Sequence, residues 1–148
     1  MLHEKSVDAA VLESDVLRTQ LTPFPRYDEA DRDFFYGALA EIGILLVRRA
    51  QPVIFDATAN RRRYRDAARS RIERFCEVHV DTPLAVCRSR DPKGLYRTAR
   101  VTDLAYEAPE NPQLVLSGEG LAPVAAAQRI VSYLQARGWL AEPGAGRS

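Results

Sequence analysis

The stretch Pro52-Val53-Ile54-Phe55-Asp56-Ala57-Thr58-Ala59-Asn60 decides how the rest of the chain is read. Apolar side chains stand on consecutive positions, then a carboxylate, then small and polar residues suited to a turn. That pattern predicts a strand over 52–55, apolar on both faces as in a covered parallel sheet. Three other runs share it, at 9–12, 75–80 and 113–116. Each is followed by a turn or a helical pattern rather than a hairpin. Between the first two, residues 28–49 place Phe34, Phe35, Leu39, Ile42, Leu45 and Leu46 near helical spacing and predict a helix of about 20 residues. Further helices are expected over 61–73, over 83–90 just after Asp81 and Thr82, and over 123–137, where Gly138 stops the last one. Strands alternating with helices imply right-handed crossovers and an α/β fold with a doubly wound parallel sheet. Ligands then bind at the carboxyl ends of the strands, so the chemistry should sit just after each one.

Composition narrows the function classes. The 148 residues carry a formal net charge of +1, with charged residues at 28%. Neither a nucleic-acid groove nor an anionic membrane surface is called for. The length suits one domain, expected over 1–140, and the small polar tail 141–148 is expected to be disordered. Apolar runs fall well short of the roughly 20 residues that span a bilayer. The opening MLHEKSVDAA has no signal-peptide core, so the cytoplasm is the expected compartment. Cys76 and Cys87 are too far apart for a CxxC pair, and His3 and His79 complete no zinc pattern, which reads as two reduced thiols.

Three segments that follow strands could carry chemistry. Glu13-Ser14-Asp15-Val16-Leu17-Arg18 brings two carboxylates and an arginine off the first strand together, although Ser14 or Asp15 could equally be capping a helix. Asp56 ends an apolar strand, the placement that in P-loop enzymes holds magnesium, or it simply starts a turn. Behind it Arg61, Arg62, Arg63 and Arg65 form either a solvated helix face or a phosphate site. Beyond the third strand, Arg88, Arg90, Lys93, Arg97 and Arg100 lie in a segment broken by Pro92 and Gly94. That combination suits a lid closing over polyphosphate, since guanidinium and ammonium groups neutralise charge on a transferring phosphoryl.

At this point the residues resemble a known family. Val80-Asp81-Thr82-Pro83-Leu84-Ala85-Val86-Cys87, then Arg90-Asp91-Pro92-Lys93-Gly94-Leu95-Tyr96, then Tyr106-Glu107-Ala108-Pro109-Glu110-Asn111-Pro112 with Leu114-Val115-Leu116, are similar to adenylylsulfate kinases. Upstream, Leu12-Glu13-Ser14-Asp15-Val16-Leu17-Arg18 resembles the family's LDGDNxR, and Asp31-Arg32 falls at its spacing. The resemblance covers roughly residues 10–140. It implies a P-loop kinase-like, three-layer αβα fold around a parallel sheet. It also implies transfer of the γ-phosphoryl of ATP, with Mg2+, to the 3′-hydroxyl of adenosine 5′-phosphosulfate in sulfate assimilation.

On that resemblance Asp15 and Lys93 are the catalytic residues, Asp15 orienting or receiving the hydroxyl proton and Lys93 descending with the lid. Arg18 and Arg32 would grip the phosphosulfate. Tyr27 would stand where a family phenylalanine stacks on the base, and Glu13, Thr58 and Ala59 would complete the acceptor side. Cys87 and Arg88 would border the ATP base, and Asp56 would hold the metal. The implied partner is a small nucleotide, with no nucleic acid and no membrane, and a homodimer is compatible with it.

The chain departs from the family in two ways. Glu13-Ser14 and Val16 replace the acid-glycine pair and asparagine of DGDN, Phe35 replaces a second asparagine, Thr58-Ala59-Asn60 replaces Ile-Ser-Pro, and Val101-Thr102-Asp103-Leu104-Ala105 is shorter than the family's segment. Moreover, nothing matches GxxxxGK[ST], the loop whose backbone N–H groups and lysine surround the phosphates. The expectation is therefore a kinase domain lacking its central first strand and phosphate loop, inactive as it stands. The remaining alternatives are a kinase with another small hydroxyl acceptor, or a non-catalytic remnant that binds a nucleotide or pairs with a kinase subunit.

Overall fold

A computed structural model describes residues 8–90 and 106–140. They fall into two compact units, one ending at Phe75 and the other beginning at Cys76. The first holds β1 (Ala10–Glu13), α1 (Ser14–Leu21), α2 (Glu29–Arg48), β2 (Val53–Asp56) and α3 (Arg62–Arg69). The second holds β3 (Val78–Asp81), α4 (Leu84–Ser89), β4 (Leu114–Ser117) and α5 (Pro123–Ala136). Of the segment expected to form the lid, Lys93, Arg97 and Arg100 lie outside the described residues, as does the tail after 140, whereas Arg88 is on α4 and Arg90 follows it, its Nη1 donating to the Gly118 carbonyl at 2.7 Å.

All four expected strands are present, and each ends one residue later than its apolar run. The ladder is made by backbone groups, so it carries on through Glu13, Asp56, Asp81 and Ser117, which apolar composition excludes. β3 also starts later than expected. Before it, the Glu77 N–H is taken by the side chain of Gln113 at 2.7 Å, while the Glu77 carbonyl accepts from the Gln113 N–H at 3.0 Å. β1 pairs in parallel with β2, and β3 with β4. Among the described residues these are two two-stranded sheets rather than one continuous ladder.

The helices show why local sequence ends them where it does. α1 begins directly after β1 with Glu13 at its N-cap, so neither Ser14 nor Asp15 is the cap. Asp15 lies instead in the first turn, where its charge meets the positive end of the helix. α2 is capped by Asp28, whose Oδ1 accepts the Asp31 N–H at 2.8 Å. It closes with Ala50 N–H on Val47 C=O and Gln51 N–H on Leu46 C=O, with Ala50 at φ 58°. α5 closes the same way, Gly138 on Gln135 and Trp139 on Leu134, with Gly138 at φ 66°. α3 stops at Arg69 rather than running to 73, because the chain turns there to bring Ile72 into the core. α4 starts at Leu84, with Pro83 as its N-cap.

In the first unit the core forms where α2 crosses the β1–β2 pair. Leu12, Phe35, Tyr36, Leu39, Ala59 and Tyr64 make one cluster, and Ala40, Ile44, Ala68 and Ile72 another. Phe35 and Ile44 are fully buried, each contributing about 1.5–3 kcal/mol of apolar transfer. Gly43 lets α2 lie on β2, since a Cβ there would collide with the Phe55 ring. Leu12 points into this core, while Val11 on the opposite face is half-exposed. The second unit buries Leu116 on β4 and Val131 on α5. Among the described residues no helix is long and apolar enough to cross a membrane.

Candidate active site

The carboxyl end of the β1–β2 pair gathers most of the expected residues. Glu13 and Asp56 are register partners at the last rung, so strand alternation sends both carboxylates to the same side of the sheet, opposite Leu12 and Phe55. Two residues on, Asp15 stands exposed in the first turn of α1. Arg18, one helical turn after Asp15, lies on the inner side of α1. Among the described residues no group of three His, Cys, Asp or Glu side chains is arranged to hold a metal. Mg2+ is commonly bound through one or two carboxylates, with water and substrate phosphates supplying the remaining ligands. Asp56 with Glu13 fits that requirement.

Arg18 is held by a carboxylate and an aromatic ring. Its Nη1 donates to Asp31 Oδ2 at 3.4 Å, and its guanidinium lies 3.9 Å from the centre of the Phe35 ring. Tyr27 and Tyr36 stand further off, at 5.5 and 5.9 Å. The same Asp31 oxygen accepts the Tyr27 N–H at 3.3 Å, and Tyr27 has φ 60°. One carboxylate thus orients the arginine and pins the turn that carries the tyrosine. The arginine's flat face over Phe35 adds a cation–π attraction, which is strengthened by burial. Arg32 follows in the first turn of α2, half-buried.

The loop after β2 is held from both sides. Ala59 has φ 39°, its N–H donates to Tyr36 Oη at 3.2 Å, and its carbonyl accepts from Arg65 Nη1 at 2.6 Å. Thr58 beside it is exposed, and Asn60 is buried. Tyr36 is fixed in turn, stacked on Tyr64 at 4.5 Å and edge-on to Phe35 at 5.3 Å. Tyr64 donates to Asp33 Oδ1 at 2.7 Å, an oxygen that also accepts from Arg63 Nη2 at 2.6 Å. Those two bonds, the tyrosine's first, hold the Asp33 carboxyl below the usual carboxylate range. Burial, then the neighbouring Asp33, pushes the Tyr64 phenol up.

Arg63 reaches Glu29 as well, at 2.8 Å, and Arg71 pairs with Glu41. Arg63 and Arg65 therefore tie α3 to α2 and to the loop, rather than forming a bare solvated face or an open phosphate site. Cys87 and Arg88 belong to the other unit, on α4, with the Cys87 thiol 3.7 Å from the Thr82 carbonyl and Arg88 exposed. Sequence reading noted Asp31 only for its spacing, Phe35 for its helical spacing and as a departure, and Arg65 only within the run of arginines, and it did not single out Tyr36 or Tyr64. The aromatic run Phe34-Phe35-Tyr36 was the available signal, and it said core rather than site.

The family model described as "Adenylylsulphate kinase" matches residues 1–117. The chain belongs to the adenylylsulfate kinase family. A curated adenylyl-sulfate kinase from Shigella flexneri is 38% identical over 130 residues, covering 81% of this chain and 65% of that protein. The chain thus spans less than two thirds of that relative's length. Among solved structures, the Mycobacterium tuberculosis APS kinase in complex with AMPPNP and APS is 33% identical, with a TM-score of 0.80 over 90% of this chain and 84% of that one. A hexameric APS kinase from Thiobacillus denitrificans is 25% identical, with a TM-score of 0.70 over 96% of this chain and 25% of that one. This member of the adenylylsulfate kinase family has the α/β fold of the P-loop kinases, with parallel strand pairs and helices as the alternating pattern requires.

Proposed function

We propose that the chain carries the acceptor side of a phosphotransferase that moves the γ-phosphoryl of ATP to the 3′-hydroxyl of adenosine 5′-phosphosulfate. The observation that carries this reading is Arg18, locked between Asp31 and Phe35 beside Tyr27, at the strand ends where Glu13, Asp15 and Asp56 gather. A preset guanidinium can receive an anionic nucleotide without first losing side-chain freedom. Asp15 takes or orients the proton of the attacking hydroxyl, Arg32 adds charge for the phosphosulfate, and Tyr27 stacks on the base. Thr58 and Ala59 line the acceptor side, Cys87 and Arg88 border the ATP base, and Lys93 neutralises the transferring group. Asp56, with Glu13, would hold the Mg2+ of the donor, which when bound draws charge from the phosphoryl oxygens. Residues 1–140 act as one kinase domain in the cytoplasm, with a homodimer as the assembly to test.

The test is phosphoryl transfer from γ-labelled ATP, measured for this chain and for a form extended by a strand and a GxxxxGK[ST] loop. The extended form is expected to turn over, with Asp15→Asn lowering kcat by roughly 10²–10⁴-fold as general-base losses do. Absence of transfer to adenosine 5′-phosphosulfate by the extended form overturns the reading. A second reading, a different small hydroxyl acceptor, is favoured by Phe35 covering one face of Arg18 while Asp31 occupies Nη1. A panel of hydroxyl-bearing acceptors separates the two.

A further inference from the structure

Ala59 sits at φ 39° and is 8% exposed, although nothing in its side chain favours the left-handed region. Cβ crowds the following carbonyl there, so an L-residue stays only when its surroundings hold it. Both polar groups of its backbone are held by side chains, the N–H by Tyr36 from α2 and the C=O by Arg65 from α3. The Tyr36 ring cannot swing away, being stacked on Tyr64 on one side and edge-on to Phe35 on the other. Phe35 is also the surface on which Arg18 lies. A continuous run of contacts therefore joins the arginine of α1, two aromatic rings of α2 and the loop that follows Asp56.

We infer that Tyr36 is a positioning residue for the nucleotide acceptor: its hydroxyl fixes the Ala59 backbone, and its contact with Phe35 couples that loop to Arg18. The inference rests on the acceptor-side reading given above and deepens it, because it assigns the shape of the loop to a residue that need not touch the acceptor. Tyr36→Phe keeps both ring contacts and removes only the hydroxyl. Glycine at 59 reaches positive φ without support, so Ala59→Gly should restore what the hydroxyl supplied.

The experiment uses the full chain and two readouts. Hydrogen exchange at the Ala59 amide should accelerate about tenfold in Tyr36→Phe, the factor expected when an amide loses a bond of ordinary strength. Calorimetric titration with adenosine 5′-phosphosulfate should show Kd raised about tenfold, and Tyr36→Phe/Ala59→Gly should recover most of it, as the binding-competent loop is repopulated. Unchanged exchange at Ala59 overturns the clamp. Faster exchange with unchanged Kd overturns the positioning role, and so does a loss that glycine fails to recover. If the unaltered chain does not bind the nucleotide, the acceptor reading itself falls and takes the positioning role with it, while exchange still decides whether the clamp exists.

Discussion

Ala50 and Ala59 share a left-handed backbone and almost nothing else. Ala50 ends α2 on the surface, and its conformation is fixed by two backbone hydrogen bonds that any residue could make. Ala59 is buried in the loop after β2, fixed by a tyrosine hydroxyl and a guanidinium that come from different helices. The first conformation is local helix-closing geometry, for which Gly138 at the end of α5 is the ordinary solution. The second exists only because three elements meet. Tyr27, the remaining non-glycine residue at positive φ among those described, sides with Ala59, since Asp31 holds its N–H. Strain maintained by side chains thus falls on residues expected to face the acceptor, and strain closed by backbone alone falls on a helix end.

The contrast can be broken most severely at Tyr36. Truncation by Tyr36→Ala removes two aromatic contacts and leaves the buried Ala59 N–H without its acceptor, and should cost about 3–5 kcal/mol in urea unfolding. A cost under about 1 kcal/mol would show that Ala59 is not held by that ring. At the opposite pole, Gly138→Ala forces a Cβ into the same closure that Ala50 tolerates and should cost about 1 kcal/mol, read as a lower Tm.

Ala50→Gly should stabilise by about 0.5 kcal/mol, because relief of the left-handed clash exceeds the backbone entropy glycine loses. The sharper form is a double-mutant comparison. Ala50→Gly should add to Tyr36→Phe within about 0.5 kcal/mol, as independent sites do, whereas Ala59→Gly should couple to it. The smallest effect concerns Asp33. Its carboxyl is held below the usual range, so the native state takes up that proton less readily than the unfolded chain does. The stability it contributes is present above the ordinary carboxylate pKa and is lost as pH falls through the lower folded value. Asp33→Asn should flatten that part of the acid limb in pH-dependent unfolding, while the region above about pH 6 keeps its slope, since carboxylates are already ionised there.

Much of the candidate site was legible in sequence because it follows strands. Glu13, Asp15 and Asp56 were chosen for standing where apolar runs end, and β1 and β2 put them there. Arg18 was read with them, one turn along α1. What could not be read was the holding of these groups. Asp31 was visible as a spacing but not as the acceptor shared by Arg18 and the Tyr27 N–H, since that depends on the path of residues 22–28 between α1 and α2. The arginines at 61–65 looked alike in sequence, yet Arg63 pairs with Glu29 and Asp33 while Arg65 turns to a carbonyl. Charge type is written in the residue, whereas the partner is chosen by the crossing of α2 and α3.

Periodicity, capping chemistry and turn residues are properties of neighbours in the chain, and they settled the order of strands and helices, the start of α2 just after Asp28 and the gathering of acids after strands. Hydrophobic spacing also placed Phe35 on a helix that had to bury one face. It could not say that the Tyr36 hydroxyl would meet an amide 23 residues away, or that Arg18 would lie on Phe35. Burial is non-directional and asks only that apolar area leave water, so a pattern suffices to specify it. Hydrogen bonds and cation–π contacts need particular atoms within a few ångströms, and only the packed chain supplies that.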